Sequence, residues 1–245
     1  MSALWNTLFY QPIYNILVFI INHITFGDVG FAIILVTIIV KSILIPLNSK
    51  SIRNQVLMKK MEPELKKIKI DFPDKEEQAK KTLEIYKKYK TNPFSGCLVV
   101  LIQLPIIFAL YYVFYNGLTI KEDILYSFVQ VPTLMHTNFL GLIEMGSHSV
   151  ALGIFAGITQ FIQAQLSSPT KLKKHNDFTE ERKTKGFQDQ LADSMQLNVK
   201  YILPIFVGFI SWRISAAVAL YWTASNIFNI VQEWLIRRKL NRNLN

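Results

Sequence analysis

The residue whose surroundings make its chemistry most conspicuous is Lys41. It closes the stretch Thr37-Ile38-Ile39-Val40-Lys41, inside an apolar run from about Gly30 to Leu47 that is long enough to cross a bilayer. A charge near the centre of such a helix costs roughly 2.5–3.5 kcal/mol. It is tolerated in two ways: the ammonium faces water or a partner inside a bundle, or it snorkels to the nearer surface. On this run alone both remain open. Polar side chains recur on the other apolar runs: Gln103 in one, and Gln160, Gln163 and Ser167 in another. A third carries Trp222, Asn226, Asn229 and Glu233, three and four residues apart and so neighbours on one helical face. Each alone would serve helix–helix hydrogen bonding. Together with Thr37 and Lys41 they suggest a shared hydrated cavity.

The chemistry these residues allow is non-covalent. There is no HExxH, GxSxG or P-loop motif and no pair of intramembrane carboxylates. His23, His136, His148 and His175 are scattered without ligand spacing, so no metal site and no cofactor are expected. Cys97 is the single cysteine and reads as a small apolar residue at a helix start. What remains is an amine in an apolar frame, able to attract acidic groups, beside amides and an indole that can donate and accept hydrogen bonds.

The elements that must position these groups are helices. Only 18% of the 245 residues are charged against 51% hydrophobic, and the apolar residues fall in long blocks. That is the pattern of an all-α polytopic membrane protein. The spans expected are 30–47, 94–116, 138–166, 200–213 and 215–235. Residues 1–29 are apolar and aromatic but interrupted by Gln11, Pro12, Asn15, Asn22 and His23. They are read as an amphipathic helix on the external surface, with a poor spanning helix as the alternative. Residues 48–92 are charged and helical with a break at Asp71-Phe72-Pro73-Asp74. The pattern predicts two antiparallel helices, the second capped by Asp74. Asn92-Pro93 reads as the start of the next helix.

Of the 27 Lys and Arg residues, 24 lie in 48–92, 167–200 and the tail from 236 onward. These segments alternate with the nearly uncharged 1–29, the loop 117–137 and the short turn at 213. The positive-inside rule puts the helical hairpin, the loop 167–199 and the basic tail 236–245 in the cytoplasm, with the N-terminus outside. The net charge of +10 is therefore a topology signal first, and no specific nucleic acid is expected as partner. Binding of the ribosome or of anionic membrane lipids by these loops is permitted but not demanded.

Several stretches resemble the YidC/Oxa/Alb insertase family, and the resemblance covers nearly the whole chain. They are Thr-Ile-Ile-Val-Lys-Ser-Ile-Leu-Ile-Pro-Leu (37–47), Met61-Glu62-Pro63-Glu64, Phe139-Leu140-Gly141-Leu142 and Ala219-Leu220-Tyr221-Trp222-Thr223-Ala224-Ser225-Asn226. The longest begins Asn92-Pro93-Phe94-Ser95-Gly96-Cys97-Leu98 and ends Ile102-Gln103-Leu104-Pro105. The resemblance implies a five-transmembrane-helix insertase core with a cytoplasmic helical hairpin, in the short bacterial form without a large external domain. It implies a cell-membrane insertase and chaperone for nascent membrane proteins, with a hydrophilic groove open to cytoplasm and lipid and no ATP hydrolysis. The Sec translocon and the ribosome are further partners it suggests. By the same resemblance Lys41 takes the place of a groove arginine. Thr37, Gln103, Gln160, Gln163, Trp222 and Asn226 would line the groove, and Leu104, Ile107 and Tyr221 would meet the substrate helix.

The chain departs from the family pattern in three places. Lysine replaces the usual arginine and loses its planar fork. Val99 stands where proline is common, and Arg213-Ile214-Ser215-Ala216-Ala217 replaces a turn that usually contains proline and glycine. The short basic tail argues against strong ribosome tethering. From the residues alone, a small-solute transporter or channel and a non-inserting assembly scaffold remain as alternatives. The spans show no repeat symmetry of the transporter kind.

Overall fold

The computed structural model describes residues 3–92, 95–115, 120–167 and 198–242, without the side chains at 69, 95–100, 110, 114–115 and 241. Its helices are α1 (Ala3–Trp5), α2 (Gln11–His23), α3 (Val29–Asp71), α4 (Lys75–Lys88), α5 (Ser95–Tyr115), α6 (Val150–Ser167), α7 (Leu203–Arg213) and α8 (Ala216–Arg242). π-helical turns at Asn6–Tyr10 and Asn198–Ile202 lead into α2 and α7. Three helical stretches among the described residues are long and apolar enough to cross a membrane: Ala3–His23, Val29–Ile68 and Val150–Ser167. The chain is a helical membrane protein.

The expected spans and the helices differ in instructive ways. The span at 30–47 and the first hairpin helix are one element, because α3 runs through both Pro46 and Pro63. Each proline deletes a single N–H and leaves one carbonyl four residues back without its helical partner. α8 packs against the helix just past the first: Gln232 Nε2 donates to Ile45 O at 3.2 Å and to Ser49 Oγ at 3.4 Å. The stretch 138–166 is helical only from Val150. Its first residues form a short antiparallel pair, Asn138–Phe139 (β1) with Ile143–Glu144 (β2), closed through Leu140 and Gly141 at positive φ. α7, at 11 residues, is about 16 Å long, short for a span. The region 168–197 and Pro93 lie outside the described residues, as does the side chain of Cys97.

α3 ends where Phe72 precedes Pro73 and is held extended. Asp74 then caps α4, accepting from Glu76 N at 3.4 Å and Glu77 N at 3.2 Å, as the spacing predicts. The second helix turns back along the first. Glu64 accepts from Tyr89 Oη at 2.5 Å and Lys88 Nζ at 3.0 Å, and Thr91 Oγ1 reaches Met61 Sδ at 3.4 Å.

At the opposite end of α3 the segment 120–149 forms a lid of loops. Gly27, at φ +95°, makes the turn into α3, and a side chain there would meet Leu134 O at 2.8 Å. Val29 N and His136 N exchange bonds with His136 O and Gly27 O at 3.1 and 2.7 Å. Ala216 N and Ala217 N at the start of α8 donate to Ser147 O and Met145 O. Gln11 and Asn15, the residues that suggested a surface helix, point into this lid. Asn15, 2% exposed, donates to Ile124 O at 2.9 Å and accepts from Tyr126 N at 2.7 Å. Gln11 Nε2 reaches the same carbonyl at 3.2 Å.

The apolar core lies at the lid end. Its side chains come from α2, the first two turns of α3 (Val29 to Val36), the second half of α5 (Ile106 to Val113) and the first turns of α8 (Ala216 to Tyr221). Beyond Val36 and Tyr221 the same helix faces turn polar.

Candidate functional site

That change of character builds the site. On α3 the buried or half-buried polar residues Thr37, Lys41, Asn48, Ser51 and Gln55 follow one another at spacings that return to the same helical face. On α8 Trp222, Asn226, Asn229 and Glu233 do the same. The two helices pack side by side, so the bundle is dry near the lid and polar away from it.

Lys41 marks the boundary. Its side chain points into the bundle, is 3% exposed, and donates from Nζ to Gln103 Oε1 on α5 at 2.9 Å. Gln103 Nε2 in turn donates to the hydroxyl of Tyr221 on α8. Three helices are thus tied by one chain of polar groups, and the snorkelling alternative does not hold. Among the described residues no carboxylate pairs with Lys41; the acceptor is a neutral amide. An ammonium so placed keeps most of its attraction for an incoming anion, because little of it is neutralised.

A second set joins α6 to α8. Trp222 Nε1 donates to Gln160 Oε1 at 3.2 Å, and Asn226 Nδ2 to Thr159 Oγ1 at 3.2 Å. A third lies further from the lid. Glu233, 3% exposed, accepts from Ser167 Oγ at 2.6 Å and from Arg237 Nε and Nη2 at 2.8 and 2.6 Å. Beside it is a polar cavity of about 70 Å³, lined by Asn48, Ser51, Gln55, Gln163, Asn229 and Gln232 among others. Among the described residues Asn48 Oδ1 and Gln55 Oε1 have no hydrogen-bond partner, and the cavity has room for the water that would satisfy them.

The expected site residues are therefore distributed. Lys41, Gln103 and Tyr221 form one connected group, and Gln160 and Trp222 another. Gln163 lines the polar cavity. Thr37 turns its hydroxyl back to Ile33 O at 2.7 Å in its own helix, and Asn226 is buried as an interhelical bond. Leu104 is exposed at 42% and Ile107 is half-buried, so an apolar wall does flank Gln103. Tyr221 does not belong to that wall. It is 2% exposed and serves Gln103, because the first turns of α8 face the core rather than lipid. Asn48, Ser51, Gln55, Gln232 and Arg237 escaped the sequence reading. For the first three the signal was present, as a continuation of the Lys41 face past Pro46.

A helical membrane protein with an apolar lid end, a buried unpaired amine and a polar interior is the class the geometry defines. Residues 20–243 match the family described as 60Kd inner membrane protein, and the chain belongs to that family. Two relatives carry the name "Membrane protein insertase YidC". The one from Oceanobacillus iheyensis is 28% identical over 244 residues, 98% of this chain and 86% of the relative. The one from Francisella tularensis subsp. novicida is 31% identical over 227 residues, 91% of this chain but 35% of the relative, so this chain spans about a third of that protein. The family resemblance read from the motifs is borne out.

Proposed function

We propose that this chain inserts newly made membrane proteins into the lipid bilayer, and helps them fold there, without ATP hydrolysis or any covalent step. The observation that carries the reading is Lys41: an amine held inside the bundle by a neutral amide, at the point where the dry end gives way to the polar interior. The family membership and the name borne by both relatives support it.

The barrier to insertion is the dehydration of the hydrophilic flank that must cross. A polar interior reaching partway through the bilayer shortens the dry path. The flank enters from the end where Asn48, Gln55 and Glu233 lie, and its acidic groups are drawn toward Lys41. The lid at 120–149 closes the far side. The apolar segment that follows leaves by the wall carrying Leu104 and Ile107. In this reading five helices span the membrane, with α3 beyond Pro46 and α4 forming a cytoplasmic hairpin. α2 lies against the external lid, the N-terminus is outside and the C-terminus is cytoplasmic. The basic residues concentrated at 48–92 and from 236 onward support that orientation.

The test is insertion into liposomes by the purified protein alone. The substrate is a newly made single-span protein with a short acidic flank, and protease protection is the readout. Protection that requires the protein and falls in Lys41→Ala supports an autonomous insertase acting through this amine. Protection equal to that of empty liposomes, with the protein correctly oriented, overturns it in favour of a role that depends on the Sec translocon.

A further inference from the structure

Outside the polar interior, α6 and α7 form a second feature that the insertion reading leaves unused. They approach closely because glycines face each other: a Cβ on Gly153 would lie 2.8 Å from Trp212 Cβ and 3.0 Å from Gly208 O. Gly157 and Gly208 meet in the same way, a Cβ on either lying 3.4 Å from the other's Cα. This is close packing through small residues spaced four apart. With no side chains filling the seam, a groove of about 550 Å³ opens along it on the outer surface, and its lining is almost wholly apolar. The walls are exposed side chains, Ile154, Ile158, Ile205 and Phe209.

The groove has a length and two ends. It runs from Val150 to Phe161 on α6, twelve residues or about 17 Å at helical rise. A spanning partner helix needs about 30 Å of apolar contact, whereas one leaflet of the hydrocarbon is about half of that. At the Val150 end Trp212 forms the wall, and Arg213 lies just beyond it. The guanidinium stands over the rings of Trp212 and Phe209, 5.3 and 5.7 Å from their centroids. Arg213 is exposed, and among the described residues no carboxylate pairs with it. A planar guanidinium fixed on an aromatic edge, with its donors free, suits a phosphate oxygen pair. Tryptophan beside it is the usual residue at headgroup depth.

We propose that the α6–α7 groove is a binding site for one phospholipid molecule, an acyl chain lying along the glycine seam and the headgroup phosphate on Arg213. Length selects a lipid chain over a helix, and the free cation at one end selects a molecule with an anionic head. The site is separate from Lys41 and does not depend on the insertion reading.

The full chain, purified in mild detergent, is mixed with phosphatidylglycerol and examined by native mass spectrometry. The expected result is one retained phospholipid per chain. Arg213→Gln weakens retention roughly tenfold, the loss of one charge-assisted hydrogen bond. Ile158→Trp, which fills the groove from an exposed position without touching the glycine seam, abolishes it. Ile43→Trp, also exposed but on α3, leaves it unchanged. Equal retention in Arg213→Gln and Ile158→Trp overturns the proposal. So does a dimer that Ile158→Trp dissolves, which would give the groove to a second copy of the chain.

Discussion

Lys41 and Gln103 are joined across the α3–α5 interface by a 2.9 Å bond from an ammonium to a neutral amide oxygen. A buried cation with no anion beside it among the described residues is a costly choice for stability, and the cost points to use.

Removing the charge should therefore separate stability from function. Lys41→Met is expected to raise thermal stability, by about 1–3 kcal/mol, because a desolvated charge is replaced by an apolar side chain of similar length. The same variant should insert acidic-flanked substrates poorly. A thermal melt in detergent and the protease-protection assay, run on one preparation, check both. A variant that is less stable and equally active would contradict the assignment.

The charge sign can be tested without emptying the site. Lys41→Arg should keep insertion close to the unchanged protein, and Lys41→Glu should lose most for substrates with acidic flanks and least for neutral ones. The ratio of the two substrates' insertion yields is the quantity to follow; an unchanged ratio in Lys41→Glu would remove the electrostatic part of the mechanism.

Asn15 holds the lid to α2 through both ends of its amide. Asn15→Leu keeps the shape, leaves Tyr126 N unsatisfied and leaves Ile124 O only its bond from Gln11, a cost of about 2 kcal/mol. Faster backbone hydrogen exchange at Ile124 to Tyr126 would be the local signature, absent at the α3–α4 turn.

Gly153→Val is expected to force α6 from α7, since even the first carbon of a side chain meets Trp212 and the Gly208 backbone. Overpacking of this kind costs about 1–3 kcal/mol. The unfolding midpoint should fall, while Ile154→Val, next in sequence but exposed, should leave it in place.

The α3–α4 contact should respond to acid. Tyr89, then Lys88, hold the Glu64 carboxyl below its ordinary value. A carboxylate lowered in the folded state contributes stability above its unfolded pKa and loses it as pH falls through the folded one. The contact is exposed, so the effect is small and screened by salt. The distance between spin labels placed at Glu62 and Thr91 should therefore broaden on acidification and not on mild alkalinisation.

Much of this was legible in the residues. Lys41 in its apolar run, the Asp74 cap and the polar face of α8 are all set by local spacing, and Asp74 caps α4 as that spacing suggests. What spacing could not supply was partners. Gln11 and Asn15 look alike whether they face water or a buried loop carbonyl, and only the fold brings Ile124 to them. Tyr221 has the side chain of a surface contact, but α8 is turned so that its first two turns face inward. Pro46 stands where the apolar run ends, yet α3 continues through it beside α8. Gly153 and Gly208 are distant in sequence, so the seam they make shows only when α6 and α7 are laid together.

The unbroken course of α3 gives the molecule a mechanical property. From Lys41 to Asp71 the helix extends about 45 Å without an intervening loop. A force applied at the α4 turn acts along one continuous helix. The rod has two places where its hydrogen-bond ladder is thinned, Pro46 and Pro63, and bending will concentrate there. Pro46 is little more than one turn from Lys41, so the bend nearest the membrane end falls just beyond the amine that Gln103 holds, and leaves that bond in place while the distal rod swings.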